Sequence, residues 1–513
     1  MRNRTHFSRL ALPAVGLLSA ALVLTGCGTP SSDPTDKPTE QILVVGTTSD
    51  PDTLFPWKAT QFFAVNVAQN LYGTLTEFDA DLNVVPGLAQ SWETSADGLT
   101  VTFKLRPGVK FADGTDCDST DVKHSLEAIQ NEATAAVARS SLAAVTKIEA
   151  PDASTVTLTL SVADAALPSN LAVINMAILS SQDSEETLNT KPNGTGAFVL
   201  TSRQPNQSLT LARNEHYWGA KPPLDGIEFR IIPDETSIVS AMQSGNINLT
   251  TFDDPLVAQS AEAAGLTVRK TPQLSYHVLQ LNATRGALTD ENVRLAMQCA
   301  IDRQEVLDTA AQGEGEVTGP ITSPAYRSDP KARPCPTRDL AKAAQYLAQS
   351  GLSEVTVNAI VSQGEYATSV NEAENLKAQL AEAHINLELE VLESGAYVTR
   401  WIEADFESAV ALNGGRPDPD GMYGRYFPST GNLNQVAGYS SPTLDQLFAQ
   451  GKSESDPAER AKIYTQISNQ LEDHAVWIWL FTSYSYTVTT AGVTGYTPMP
   501  NASAQYLRST SIA

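Results

Sequence analysis

The stretch Leu412-Asn413-Gly414-Gly415-Arg416-Pro417-Asp418-Pro419-Asp420 gathers side chains suited to holding a charged small molecule. A guanidinium presents a planar fork of donors that matches a carboxylate bidentately. Arg416 can therefore take an anionic ligand, remain solvated, or pair with Asp418 or Asp420. Tyr397, Trp401, Tyr423 and Tyr426 flank the stretch. Aromatic faces suit sequence-tolerant contact with an extended ligand, and each ring is equally able to serve as core packing. Catalytic chemistry finds no foothold. There is no Gly-x-Ser-x-Gly, no His-Glu-x-x-His and no recognisable Cys/His pairing. The six histidines lie far apart and no Cys-x-x-Cys occurs, so neither a zinc site nor any other metal or cofactor is expected.

Such side chains need elements to position them. Leu99, Val101, Phe103 and Leu105 alternate with polar residues, the period of a half-buried strand. Asp97-Gly98 and Arg106-Pro107-Gly108 are turns, and Val109–Phe111 is a second extended piece, which predicts a hairpin. Asp118-Ser119-Thr120 can then cap a helix carrying Val122, Leu126 and Ile129. Strands are also predicted at 42–45, around Val156-Leu158-Leu160, at 355–361 and at 385–391. Helices are predicted at 369–383 and 456–473, and after Thr289 or Asp290. The strand–helix–strand run from 355 to 391 implies a parallel pair. Gly194 and Gly196 lack the third glycine of a dinucleotide loop and are read as setting a tight turn at a strand start.

The N-terminus carries Arg2, Arg4 and Arg9, then the apolar run ALPAVGLLSAALVL, then Leu24-Thr25-Gly26-Cys27. A basic segment followed by a short apolar one is a secretory signal, and its end resembles a lipobox. There the Cys27 thiol receives diacylglycerol and becomes the mature N-terminus. The competing reading, an uncleaved membrane anchor, needs about 20 apolar residues, more than this run supplies. Residues 1–26 are thus the signal peptide, and 27–40, rich in Pro, Ser and Thr, a flexible stalk. Lipidation leaves Cys117, Cys299 and Cys335, enough for one disulfide and one free thiol outside the cytoplasm. The sequence does not assign the pair; Cys299 with Cys335 is the pairing we favour.

At 513 residues the chain has room for roughly three domain units. Its net charge is −24, and the signal segment contributes only basic residues, so the remainder is more acidic still. A nucleic-acid surface needs clustered Lys and Arg, which are missing. A secreted protein kept apart by self-repulsion fits, and a monomer is expected.

One block carries a resemblance. Pro86, Leu88-Ala89, Ser91-Trp92, Asp97-Gly98, Leu105-Arg106, Gly108-Val109-Lys110-Phe111, Asp113-Gly114-Thr115 and Asp121-Val122 follow in order. This order closely resembles the signature of the family 5 solute-binding proteins, extracytoplasmic receptors of ABC importers. Further matches are the Asp50-Pro51…Leu54-x-Pro56 loop, Gly194-Thr195-Gly196-x-Phe198, Asn214-x-x-Tyr217-Trp218, Val293-Arg294-x-Ala296…Asp302-Arg303 and Asp456-Pro457-x-x-Arg460. They cover nearly all of 41–513.

The resemblance implies a two-lobed α/β fold of the periplasmic-binding-protein type, in its large form, with mixed sheets, an extra subdomain and a hinge-closed cleft. Residues 41–272 and 482–513 would form the N-terminal lobe, with the subdomain at about 71–190, and 273–481 the C-terminal lobe. The function implied is capture of a solute, peptides first, for delivery to an ABC permease and its ATPase. The alternatives are a nickel complex, an oligosaccharide or another anionic solute, or a lipoprotein that senses or chaperones. In peptide-binding relatives a Trp-x-x-Asp motif before an Asp-Pro pair offers its acid to the peptide ammonium. Here Asn413 stands at the Trp position, Gly415 or Arg416 at the acid, and Asp418-Pro419 match the pair. The loop near Thr60 and Phe62 would border the cleft, although Phe62 and Phe63 can simply pack. Tyr217 and Trp218 are read as structural aromatics. The candidate ligand contacts are Thr60, Phe62, Phe252, Tyr397, Asn413, Gly415 and Arg416.

Overall fold

The strand carrying Val101, Phe103 and Leu105 buries those three side chains, as its period of two requires. In the computed structural model, which describes residues 40–363 and 366–513, it spans Thr100–Leu105. Its hairpin partner is Ala89–Thr94 rather than the expected Val109–Phe111. Gly98 adopts φ +71° and the Ser95 N–H donates to the Thr100 carbonyl at 2.9 Å, which closes the Asp97-Gly98 turn. Trp92 then lies opposite Phe103, ring centroids 6.3 Å apart. Beyond Arg106, Pro107 has no N–H to give a ladder and Gly108, at φ +71°, swings the chain away. Val109–Phe111 keeps an isolated bridge, Lys110 to Asp116.

Thr155–Leu160 and Val145–Asp152 complete this four-stranded antiparallel sheet. Helix Ser119–Gln130 packs against it through Val122, Leu126 and Ile129. Asp118 and Asp121 form a reciprocal capping box at its start, satisfying donors that a helix N-terminus leaves open.

The largest sheet has eight strands. Across it run Thr267–Pro272, Phe481–Thr489, Leu249–Phe252, Ile42–Thr47, Gly226–Ile231, Ser208–Arg213 and Phe198–Gln204, with Gly315–Val317 attached to Phe481–Thr489. Ile42–Thr47 is parallel to both neighbours and the remaining pairs are antiparallel, so the sheet is mixed. Gly194 and Gly196 precede it without positive φ, where the chain bends into strand Phe198–Gln204. Their role is close approach: a Cβ would come within 2.1 Å of the Leu71 carbonyl oxygen at Gly194 and 2.4 Å of its carbon at Gly196.

The second sheet has five strands, in the order Ile385–Glu393, Val355–Gln363, Ser408–Asn413, Tyr276–Leu281 and Trp477–Trp479. The predicted strand–helix–strand unit is present: Val355–Gln363 and Ile385–Glu393 are parallel, joined through helix Ser369–Ala381. Helices Glu291–Ala300 and Pro457–Asp473 begin at Asp290 and Asp456, whose carboxylates accept backbone N–H groups of the first turn. Trp477, Trp479, Tyr423, Tyr426 and Phe427 fill the interior of this half with tilted and edge-on ring contacts.

The chain passes between the two sheets at residues 273–275 and returns at Leu480. Thr482 ties the passages together: its hydroxyl lies 2.5 Å from the Gln273 carbonyl and 2.7 Å from that of Ser275. Among the described residues no helix is long and apolar enough to cross a membrane. Cys27, the signal segment and the stalk up to residue 39 lie outside the described residues.

Candidate functional site

Ligands of open α/β sheets bind outside the carboxyl ends of parallel strands, where loops diverge. Two such ends meet here. Leu249–Phe252 runs parallel to Ile42–Thr47 and delivers Asp253; Ser408–Asn413 runs parallel to Val355–Gln363 and delivers Gly414, Gly415 and Arg416. Between them opens a cavity of about 480 Å³ that also receives Gln273–Ser275 from the first passage between the sheets. That volume lies within the usual range for small-molecule sites, about 300–1,000 Å³.

Helix Phe62–Leu71 supplies one wall, with Phe62 at its first turn and Gln69 and Tyr72 further along. The preceding loop is locked in place. Asn175, itself on the wall, donates to the carbonyls of Pro56 at 2.7 Å and Ala59 at 2.9 Å, and Trp57 donates to the Ala177 carbonyl. Gly415 faces the opposite wall: a Cβ there would sit 1.9 Å from the Leu274 carbonyl oxygen, so any side chain would part the two segments.

The residues expected at the site divide. Phe62, Gly415 and Arg416 line the cavity. Asn413 is buried next to it, its amide donating to the Tyr276 hydroxyl at 3.2 Å. Thr60 is exposed and away from the lining. Phe252 is buried in an apolar cluster with Ile238, Met242 and Tyr486, so Asp253, next along the chain, is the residue that reaches the cavity. Tyr397 packs in the core of the second sheet with its hydroxyl on the Val410 carbonyl at 2.9 Å. Trp401, Tyr423 and Tyr426 belong to that packing as well and do not line the cavity.

Tyr217 and Trp218, read as packed structural aromatics, do pack against the apolar core and also line the cavity. Arg106 lies over the Trp218 ring at 4.8 Å, a cation–π contact. Arg425, Gln273 and the Arg508–Glu77 pair at 2.6 Å also line the cavity without having been anticipated. Arg425 lies nine residues beyond Arg416 in a segment whose aromatics drew attention instead.

The acids near Arg416 are engaged elsewhere. Asp418 forms a bidentate pair with Arg460, Oδ2 to Nη1 at 2.5 Å and Oδ1 to Nη2 at 2.9 Å, both side chains buried. Arg416 therefore does not pair with Asp418, and no ion pair joins it to Asp420 among the described residues. Burial, the adjacent Asp418 charge and Asp164 push the Asp420 carboxyl from the ordinary 3.8 up to about 6, with Lys452 and Arg460 opposing. A carboxyl that holds its proton more tightly folded than unfolded stabilises the fold at low pH and loses that contribution as pH rises through about 6. Asp420→Asn is accordingly expected to match the parent near pH 4 and to exceed it by about 3 kcal/mol at pH 7.5. Urea midpoints at the two pH values check this; equal midpoints at pH 7.5 would refute it.

Among the described residues no cluster of His, Cys, Asp and Glu is arranged to hold a metal ion. A family model described as bacterial extracellular solute-binding proteins, family 5 Middle, matches residues 83–434. The chain is 28% identical over 465 residues to a probable di/tripeptide-binding protein 5 of Pseudomonas aeruginosa, covering 84% of this chain and 88% of that one. It is 27% identical over 496 residues to protein XP55 of Streptomyces lividans, covering 91% and 90%. The solved structure of HbpA2 from Haemophilus parasuis superposes with a TM-score of 0.83 at 25% identity, covering 92% of this chain and all of that one.

Proposed function

This chain belongs to the family 5 bacterial extracellular solute-binding proteins, and on that premise we propose that it is a lipid-anchored receptor that hands peptides to an ABC importer. The family's members are extracytoplasmic and deliver peptides or related solutes to such importers, and their fold is that of periplasmic binding proteins. The observation that carries the reading is the cavity itself, walled by strand ends of two different sheets and bordered by the first passage between them, Gln273–Ser275. A cavity so placed closes when two bodies rotate about a few connecting residues. Residues 41–272 with 482–513 would form one body and 273–481 the other. Thr482, bonded to both Gln273 and Ser275 carbonyls, sits where the rotation would be taken up.

Leu24-Thr25-Gly26-Cys27 supports attachment to the membrane through a lipid on Cys27, with the body outside the membrane and the permease and ATPase as partners. Peptides suit a wall made of backbone-rich loops and of Phe62, Tyr72, Tyr217 and Trp218. The similar di/tripeptide-binding protein favours the same class.

A thermal-shift screen of the purified full-length protein tests the reading, using di-, tri- and longer peptides, their N-acetyl forms, nickel chelates and oligosaccharides. A ligand at 100 times its dissociation constant adds about 2.7 kcal/mol. Stabilisation by peptides in this range is the expected result. Stabilisation by chelates or oligosaccharides alone would end the peptide assignment and keep the receptor.

A further inference from the structure

We propose that Arg416 and Arg425 form an oxyanion clamp in the cavity wall, and that the solute captured there presents a carboxylate to both guanidiniums. The inference rests on the receptor reading above and names the end of the ligand that is held.

Among the described residues, every arginine from Arg106 to Arg508 other than these two donates to a carbonyl or carboxylate oxygen. Arg416 and Arg425 have no such bond and no acid within 4.0 Å. In a chain with 58 acidic and 34 basic residues, partners are abundant, so two unpaired guanidiniums on one wall are conspicuous.

Arg416 is exposed on that wall and Arg425 is half-buried. The Arg425 Nε is buried with no hydrogen-bond partner, and its guanidinium lies over the Tyr426 ring at 4.7 Å. Partial loss of water around the guanidinium and the neighbouring Arg425 charge both lower the Arg416 pKa, so the two cations oppose each other. A buried donor without an acceptor destabilises the fold. An oxyanion seated between them would satisfy the donors and cancel the repulsion together.

The rest of the wall agrees. Of the carboxylates there, Glu77 is taken by Arg508 at 2.6 Å, and Asp253 accepts from Gln273 at 2.9 Å. With Arg416, Arg425 and Arg508 against Glu77 and Asp253, the cavity of a strongly acidic protein carries an excess of positive charge. A cleft of that sign concentrates anions.

The test uses citrate as a simple oxyanion probe, together with N-acetyl-Ala-Ala-Ala as the free acid and as its amide. The proteins are the full chain and its Arg416→Gln and Arg425→Gln variants in low-salt buffer. Without added anion both variants should melt at or above the parent, since each removes an unpaired cation. Citrate should raise the parent's melting temperature and leave both variants unmoved. The free-acid peptide should bind about 10- to 100-fold more tightly than the amide. Variants that melt below the parent would make the arginines structural and overturn the clamp. So would a citrate effect that survives in the variants, or none in the parent. A peptide amide that binds as tightly as the acid sinks the clamp and leaves the receptor intact. Citrate stabilisation that depends on both arginines, with no peptide binding, keeps the clamp and removes the peptide reading.

Discussion

Asp418→Asn is expected to cost about 3–5 kcal/mol of folding free energy, because it leaves the Arg460 guanidinium buried without a counter-charge. The site is closed on every side. Arg460 Nε donates to the Gly451 carbonyl at 2.8 Å, Nη1 to the Tyr326 hydroxyl at 2.9 Å, and the Tyr326 and Tyr464 rings lie 5.4 and 4.9 Å from its centre. Burial pulls the Arg460 pKa down, and Asp418, by charge and by hydrogen bond, more than reverses it. Asparagine is the informative replacement because it retains an oxygen for the Asp420 N–H, at 2.9 Å, and so preserves the helix cap at Pro419–Tyr423. What it removes is the charge. Arg460→Met should cost a comparable amount, and the double variant should recover a good part of the loss, since neither charge is then stranded. Denaturant midpoints of the four proteins measure the coupling. A single-variant cost under about 1 kcal/mol, the range of exposed pairs, would show that water reaches the pair.

That ion pair also marks how far the sequence could be read. Asp418-Pro419 and Asp456-Pro457-x-x-Arg460 stand out as separate motifs, each with a local role as helix start. Nothing local says that the acid of one meets the base of the other across 42 residues. The same limit explains the hairpin. Thr100–Leu105 was legible from its alternation, but its partner depends on Trp92 meeting Phe103, a pairing between segments. At the cavity, Phe62, Gly415 and Arg416 were visible because a resemblance pointed to their loops. Asp253 was missed by one position, since strand Leu249–Phe252 ends by turning Phe252 inward and its neighbour out. Arg425 was invisible for a different reason. A free guanidinium is defined by the partners it lacks, and those are counted only when the whole chain is folded around it.

Reducing the Cys299–Cys335 disulfide is expected to lower stability by about 4 kcal/mol while leaving solute affinity unchanged. The bridge closes a loop of sequence separation 36, and releasing such a loop returns roughly that much conformational freedom to the unfolded chain. What the loop contains explains why the body needs it. Gly315–Val317 adds to the largest sheet, and Arg333 reaches Glu472 at 3.0 Å in the interior of the other half. The loop carries little regular structure of its own between helix Arg303–Ala310 and helix Leu340–Gln349. Neither cysteine lines the cavity, so binding at full occupancy of the fold should not register the change. Cys299→Ala/Cys335→Ala should reproduce the effect of a reductant on the parent, and should itself be insensitive to reductant. Cys117 supplies the internal control. Loss of water around it, with Asp121 and Asp118 beside it, pushes that half-buried thiol well above its ordinary pKa, so it stays protonated and reacts slowly. Alkylation of the native protein should leave Cys299 and Cys335 unmodified, and after reduction and unfolding all three described cysteines should take label. Unchanged melting in reductant, with the bridge shown to be open, would mean that the packing of Cys299 and Cys335 against their helices holds the loop without a covalent link.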